Sequence, residues 1–159
     1  MQSKNPYTRD LILSLLKDCT KTKNLASTRE AYSLIVKTGF DSVSFYGDHL
    51  IRSLASCGSF CEAHHDFRVL PCRTVHTWHA IMSASTKLGD GHSALMFFDH
   101  MSSQGINPDK YVLTCYFKAC GLVKDLHRAM VMHNVVMIDG HDSSEAVGSA
   151  LIDMYMMCD

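Results

Sequence analysis

Five side chains able to ligate a metal or act as nucleophiles crowd into "CGSFCEAHHDFRVLPC": Cys57, Cys61, His64, His65 and Cys72. Thiolate and imidazole are zinc ligands. On a helix, Cys61 would share a face with His64 or His65. Their spacing fits no standard structural zinc site, however. Cys158 repeats Cys57 further along the chain, and Cys57 therefore reads as a small buried residue closing a helix. Cys61, His64 and His65 then fall on the exposed side of the next helix, opposite Ala63 and Phe67. No metal and no cofactor is expected. Catalysis has no better footing: there is no CxxC pair, and the ten histidines read as mostly surface residues. Seven cysteines, an odd number, suit a reducing compartment with free, mostly buried thiols.

The scaffold that positions these groups is legible in the composition. The 159 residues are 47% hydrophobic and 19% charged, with a net charge of −1. That balance describes a folded chain, not a disordered one. Bulk charge neither proposes nor excludes a phosphate backbone as partner. No run approaches the roughly 18 apolar residues of a membrane span, and no membrane partner is expected. The N-terminal "MQSKNPYTRDL" lacks the apolar core of a secretory signal and is too poor in Arg for an organelle transit peptide. Apolar spacings of three and four recur nearly everywhere, as at Ala94, Phe97, Phe98 and Met101. The same spacing in "DLHRAMVMHNVVM" puts Leu126, Ala129, Met130, His133 and Met137 on one face. β-Branched alternation is never sustained, and the chain reads as all-α.

The helices repeat. "KDCTKTKNL" and "KACGLVKDL" align at an offset of 101, which also pairs Gly39 with Gly140, Gly47 with Gly148, and Ile51 with Ile152. Over the 49 gapless pairs from Asp10 to Gly58 there are 11 identities. Helical repeats run roughly 34 residues, so this offset holds three. The expected units are 9–43, 44–74, 75–109 and 110–144, with a partial unit at 145–159 and an extension at 1–8. Each reads as helix, turn, helix. In the third, Trp78, Ile81, Met82 and Ser85 form the inner stripe. Gly105 suits the left-handed residue after a helix, and Pro108 discourages helix at Asn107. No hairpin this small buries both faces, so neighbours must stack into an α-solenoid.

These residues resemble a known family. "TWHAIMSASTKLGDGHSALMFFDHMSSQGINPD" is similar to a plant pentatricopeptide repeat. "YVLTCYFKACGLVKDL" and "LILSLLKDCTKTKNLASTREAYSLIVKTGFDS" resemble its long variant, and "FYGDHLIRSLASCGSFCEA" and "AVGSALIDMYMMCD" its short one. The order long, short, standard, long, short matches the mixed-length (PLS-type) subfamily. The resemblance implies binding of single-stranded RNA in a mitochondrion or chloroplast, with RNA-processing proteins as possible partners and no DNA. One base is read per repeat by two or three side chains. Some members end in a zinc deaminase domain with HxE and CxxC motifs; neither motif occurs here.

The family places one base-reading residue early in each first helix and another on the last residue of the unit. Carried over, the standard unit gives His79 and Asp109; His79 stands where Asn or Thr is usual. The first short unit gives Asp48 and Thr74, an unusual combination. The second long unit gives Thr114 and Ser144, where Ser144 departs from the usual acid or amide. The first long unit gives Leu13 and Val43, which offer no side-chain hydrogen bond. Ser149 is the early reader of the last unit. Good bidentate pairs discriminate by about 1–3 kcal/mol each on the DNA analogy, so these pairs imply weak, poorly selective binding. Lys17, Lys118, Lys23 and Lys124 either touch phosphates or end helices near the C-terminal dipole.

Two other readings stay open: a helical scaffold for proteins, and a truncated relative without activity. "VGSALIDMYMMCD" reads as the first helix of a short repeat without its partner. Its apolar face is expected to pack on the second helix of the preceding unit, around Ala129 to Met137. Met154 then belongs to the core, while Met156 and Met157 turn the other way. The end of the chain is expected to fray or aggregate.

Overall fold

The punctuation of the sequence becomes the ends of helices. The computed structural model describes residues 9–39, 44–140 and 144–159. Among them the chain forms α1(Arg9–Thr22), α2(Leu25–Thr38), α3(Ser44–Ser56), α4(Phe60–Val69), α5(Val75–Lys87), α6(Gly91–Ser103), α7(Lys110–Val123), α8(Leu126–Ile138) and α9(Glu145–Cys158). No strand occurs among the described residues. Among them, too, no helix is long and apolar enough to cross a membrane.

Four hairpins turn on a shared device. A left-handed residue ends the first helix, and a short polar residue opens the second. Gly58 and Gly89 take φ of 80° and 79°, as glycine readily does. Lys23 and Lys124, partners in the repeat, take φ of 52° and 57° despite their side chains. Their recurrence thus marks helix ends, one of the two roles their sequence allowed. Asn24, Asp90 and Asp125 then accept hydrogen bonds from the backbone N–H three residues on, at 3.2, 2.9 and 3.0 Å, which satisfies a first-turn donor. Ser59 differs: its Oγ pairs with Glu62 Oε1 at 2.7 Å.

The chain divides into two units, Met1–Ile81 and Met82–Asp159, with the division inside α5. In the first, α1 packs on α2 and α3, and α3 packs on α2 and α4. Ile12, Leu16, Leu50, Ile51, Leu54 and Phe67 are buried there. Phe67 meets Trp78 edge-on at 4.8 Å between centroids. In the second unit, α7 is the centre, packed on α6, α8 and most extensively α9. Phe98 tilts against Tyr116 at 4.4 Å, and Arg128 ties α8 to Asp99 of α6 and to the Tyr116 hydroxyl. Within each unit this is the all-α, helical-hairpin solenoid class that the period implies. The stripe Trp78, Ile81, Met82 and Ser85 is wholly buried, and Ala94, Phe97, Phe98 and Met101 are buried as well.

Three expectations need correction. On α8 only Ala129 and Val136 are buried, while Leu126, Met130 and Met137 of the expected face are exposed. α8 is apolar nearly all round, and spacing alone could not choose its narrow contact strip. α9 packs chiefly on α7 and only lightly on α8. A Cβ at Gly121 of α7 would lie 3.0 Å from Met157 Sδ, so Met157 sits against α7 and not on the far side. Finally, the thiols are not mostly buried: Cys19, Cys115 and Cys120 are, Cys57 and Cys158 are half-buried, and Cys61 and Cys72 are exposed.

α3 and α9 share sequence at the 101-residue offset but differ in surroundings. Ile51 is 0% exposed and Ile152 is 63% exposed. A Cβ at Gly47 would lie 2.6 Å from Leu70 of the α4 end, whereas one at Gly148 meets nothing within 4 Å.

Candidate nucleic-acid interface

Of the residues named for base reading, Thr114 and Ser149 are brought together in one place and Asp48 and Thr74 in another. In the second unit, α7 and α9 run side by side with a groove of about 460 Å³ between them. Thr114 and Lys118 line it from α7, and Ser149 and Asp153 line it from α9. Residues four apart stack on one helix face, and Thr114 and Ser149, like Lys118 and Asp153, are 35 apart in sequence. The groove therefore carries a hydroxyl row and, one turn further on, a row of opposite charges. Met156 and Met157 line it as well.

Local bonds leave these hydroxyls usable. The Thr114 hydroxyl donates to Lys110 O at 2.8 Å, which keeps its oxygen available as an acceptor. Ser149 is exposed. Ser144 opens α9 without a side-chain capping bond. Asp109 opens α7 and accepts from the N–H groups of Tyr111 and Val112 at 3.0 and 2.8 Å, both on Oδ1. Its carboxylate is thus held by the helix start, with Oδ2 outside both bonds. Beside it stands Tyr111, 52% exposed with Lys110 Nζ 5.2 Å from its ring centroid. An exposed aromatic face is a stacking surface for an unpaired base. Sequence reasoning missed Tyr111 and Asp153; the 35-residue register through Lys118 would have pointed to Asp153.

In the first unit, Asp48 and Thr74 meet, but inward. Asp48 is 7% exposed. It accepts from Thr77 Oγ1 and, at 3.2 Å, from Thr74 Oγ1. These two candidates are thereby engaged with each other and with Thr77. Leu13 is half-buried on α1, and His79 is half-buried on α5. Val43 lies outside the described residues.

The suspected metal cluster does not assemble. Cys61, His65 and Cys72 are exposed, His64 stacks on Phe60 at 6.2 Å, and Cys57 Sγ lies 3.6 Å from Thr28 Oγ1 on α2. Among the described residues, no three His, Cys, Asp or Glu side chains are placed to share a metal ion. On α7, burial pushes the Cys115 thiol up to about 11, against the pull of Lys118 and Lys87. Burial also pushes the Cys120 thiol up to about 12. Nucleophilic cysteines need the opposite shift.

No family model matches the chain. Among curated proteins it is 31% identical, over 94% of its own length and 24% of the relative's, to a mitochondrial pentatricopeptide repeat-containing protein of Arabidopsis thaliana. It is 29% identical, over 92% of its length and 24% of the relative's, to a chloroplastic one of the same plant. A third, a putative pentatricopeptide repeat-containing protein of Arabidopsis thaliana, is 29% identical over 96% of the chain and 22% of its own length. The chain spans about a quarter of the length of the curated relatives it matches. Hairpin period, helix class and these relatives agree: over nearly its whole length the chain is similar to pentatricopeptide repeat proteins.

Proposed function

We propose that this chain is a single-stranded RNA-binding module of a mitochondrion or chloroplast, serving RNA processing, editing or modification beside partners that supply the chemistry. The α7–α9 groove carries the reading: Thr114 and Ser149 stand in register on adjacent first helices, with Lys118 one turn on. Pentatricopeptide repeat proteins are generally RNA-binding repeat proteins rather than enzymes, which supports this assignment in kind. The division into units 9–43, 44–74, 75–109, 110–144 and 145–159 belongs to the same proposal. So does weak, poorly selective binding by this chain alone, because Asp48 and Thr74 are turned on each other and Leu13 offers no hydrogen bond.

The test is selection of bound RNAs from a random pool by the purified chain. A short enriched motif is expected, lost with Thr114→Ala and Ser149→Ala and altered by His79→Ala and Asp109→Ala. Absence of any enrichment would overturn the reading. Sub-micromolar discrimination between one short RNA and scrambled controls would overturn its weak-binding part. One observation favours a protein scaffold as the second reading: Ile138 is 84% exposed and Met156 is 73% exposed. Binding of a protein but of no RNA would select it.

A further inference from the structure

Both units carry two rows on their first helices, and the chemistry of the rows differs. In the second unit the first row is Thr114 and Ser149, and the next is Lys118 faced by Asp153. In the first unit the corresponding positions are Leu13 and Asp48, then Lys17 and Arg52, each pair again 35 apart. Leu13 cannot hydrogen-bond a base edge. Asp48 is turned inward onto Thr77 and Thr74, so a base would have to break that network to reach it. The second row, by contrast, is two exposed cations. Among the described residues, the ion pairs are Arg29 with Glu62 and Arg128 with Asp99; Lys17 and Arg52 are in neither.

α1 packs on α3, Lys17 and Arg52 hold corresponding exposed positions on the two helices, and His49 of α3 senses both. Burial depresses its pKa first, then Arg52, then Lys17, while Asp48 opposes them. Both charges therefore act on one imidazole on α3, from the α1 and the α3 side. The same causes disfavour a positive charge on the imidazole itself. Adjacent helices lie about 8–10 Å apart, and flexible Lys and Arg side chains on them can reach neighbouring phosphates of one strand. Arg is suited to bidentate contact and Lys to a point contact.

We infer that the α1–α3 face of the first unit grips the RNA backbone through Lys17 and Arg52 without reading bases, while the α7–α9 groove reads. This rests on the RNA-binding reading above. It divides affinity from selectivity between the two units: phosphate contacts add affinity and carry no sequence information.

The experiment uses the full chain, with two probes: a fluorescent random-sequence single-stranded RNA and a base-free inorganic polyphosphate. Each phosphate contact contributes about 0.7 to the slope of log Kd against log salt for single strands. The double variant Lys17→Gln/Arg52→Gln should lower the RNA slope by about 1.4, so that the affinity lost between about 50 and 200 mM KCl is about sevenfold smaller. It should lose polyphosphate binding and keep the base preference of the native chain. A control with two cations of the second helices removed, Lys37→Gln/Arg68→Gln, should change neither slope. These cations are exposed, and far-ultraviolet circular dichroism should show both variants folded. An unchanged polyphosphate affinity in the Lys17/Arg52 variant overturns the inference, as does an RNA loss that depends on sequence. Failure of the native chain to bind RNA while it binds polyphosphate through these residues overturns the RNA reading alone.

Discussion

Two glycines of the second unit should respond with opposite sign to the same substitution. Gly91 is the first residue of α6, where that helix crosses α7. A Cβ there would lie 2.8 Å from Ala119 O, 2.8 Å from Val123 Cγ1 and 2.9 Å from Leu122 Cβ. Carbon contacts are favourable only at about 3.5–4.0 Å, so α6 must retreat by several tenths of an ångström from a backbone carbonyl that cannot rotate away. Overpacking of this kind costs about 1–3 kcal/mol. Gly148 lies in α9, and a Cβ there meets nothing within 4 Å. Ala in place of a helical Gly gains about 0.5–1 kcal/mol, largely through the unfolded chain. Gly91→Ala and Gly148→Ala should therefore differ by about 1.5–4 kcal/mol. At about 2–4 °C per kcal/mol for a chain of this size, their melting temperatures should stand several degrees apart on either side of the native value. Urea titration followed at 222 nm, with m unchanged, is the assay. Equal signs for the two substitutions would refute the packing argument. Gly47→Ala should fall between them, because its obstacle is the tip of the Leu70 side chain.

Four further outcomes follow from the geometry. Thr77→Val removes a donor to the nearly buried Asp48 carboxylate and should cost about 1–3 kcal/mol; a neutral result in chemical denaturation would mean that Asp48 is solvated. Lys23→Gly and Lys124→Gly relieve left-handed backbone at φ of 52° and 57° and should each stabilise by up to ~1 kcal/mol; destabilisation in the same assay would show that the lysine side chains hold these turns. In timed alkylation read by mass spectrometry near pH 8, Cys61 and Cys72 should react first and Cys115 and Cys120 last, since the latter pair is buried with raised pKa values; early labelling of Cys115 would contradict the closed packing around α7. The folded chain holds His49 below its ordinary pKa, so the unfolded chain binds its proton more readily. Stability from this residue is present above about pH 6.5 and is lost as pH falls below it; the native chain should lose more stability than His49→Gln between about pH 7 and 5, and parallel curves would exclude the effect.

The local features of this protein are written locally. Helix starts and stops follow from Asn24, Asp90, Asp125, Gly89 and Gly105, because capping bonds and positive φ involve residues within three or four positions. The Trp78, Ile81, Met82 and Ser85 stripe follows from spacing, because a helix with one apolar face has only one way to turn it. The 101-residue offset by itself makes Lys17 equivalent to Lys118, and Gly47 equivalent to Gly148.

Equivalence of position does not fix surroundings, and there the tertiary structure decided. On α8 the apolar residues run nearly all round, so packing on α7 and α9 selected Ala129 and Val136. Asp48 was a candidate reader by position, yet it accepts from Thr74 and Thr77, 26 and 29 residues away. Lys17 and Arg52 act on one imidazole only because α1 and α3 pack side by side. Gly47 is closed by Leu70 and Gly148 is open, although the two share their motif. The sequence by itself determined where the helices begin and end and which rows their side chains form, since these depend on near neighbours. Which rows remain open to a ligand depended on contacts between helices far apart in the chain, and those only the folded structure could set.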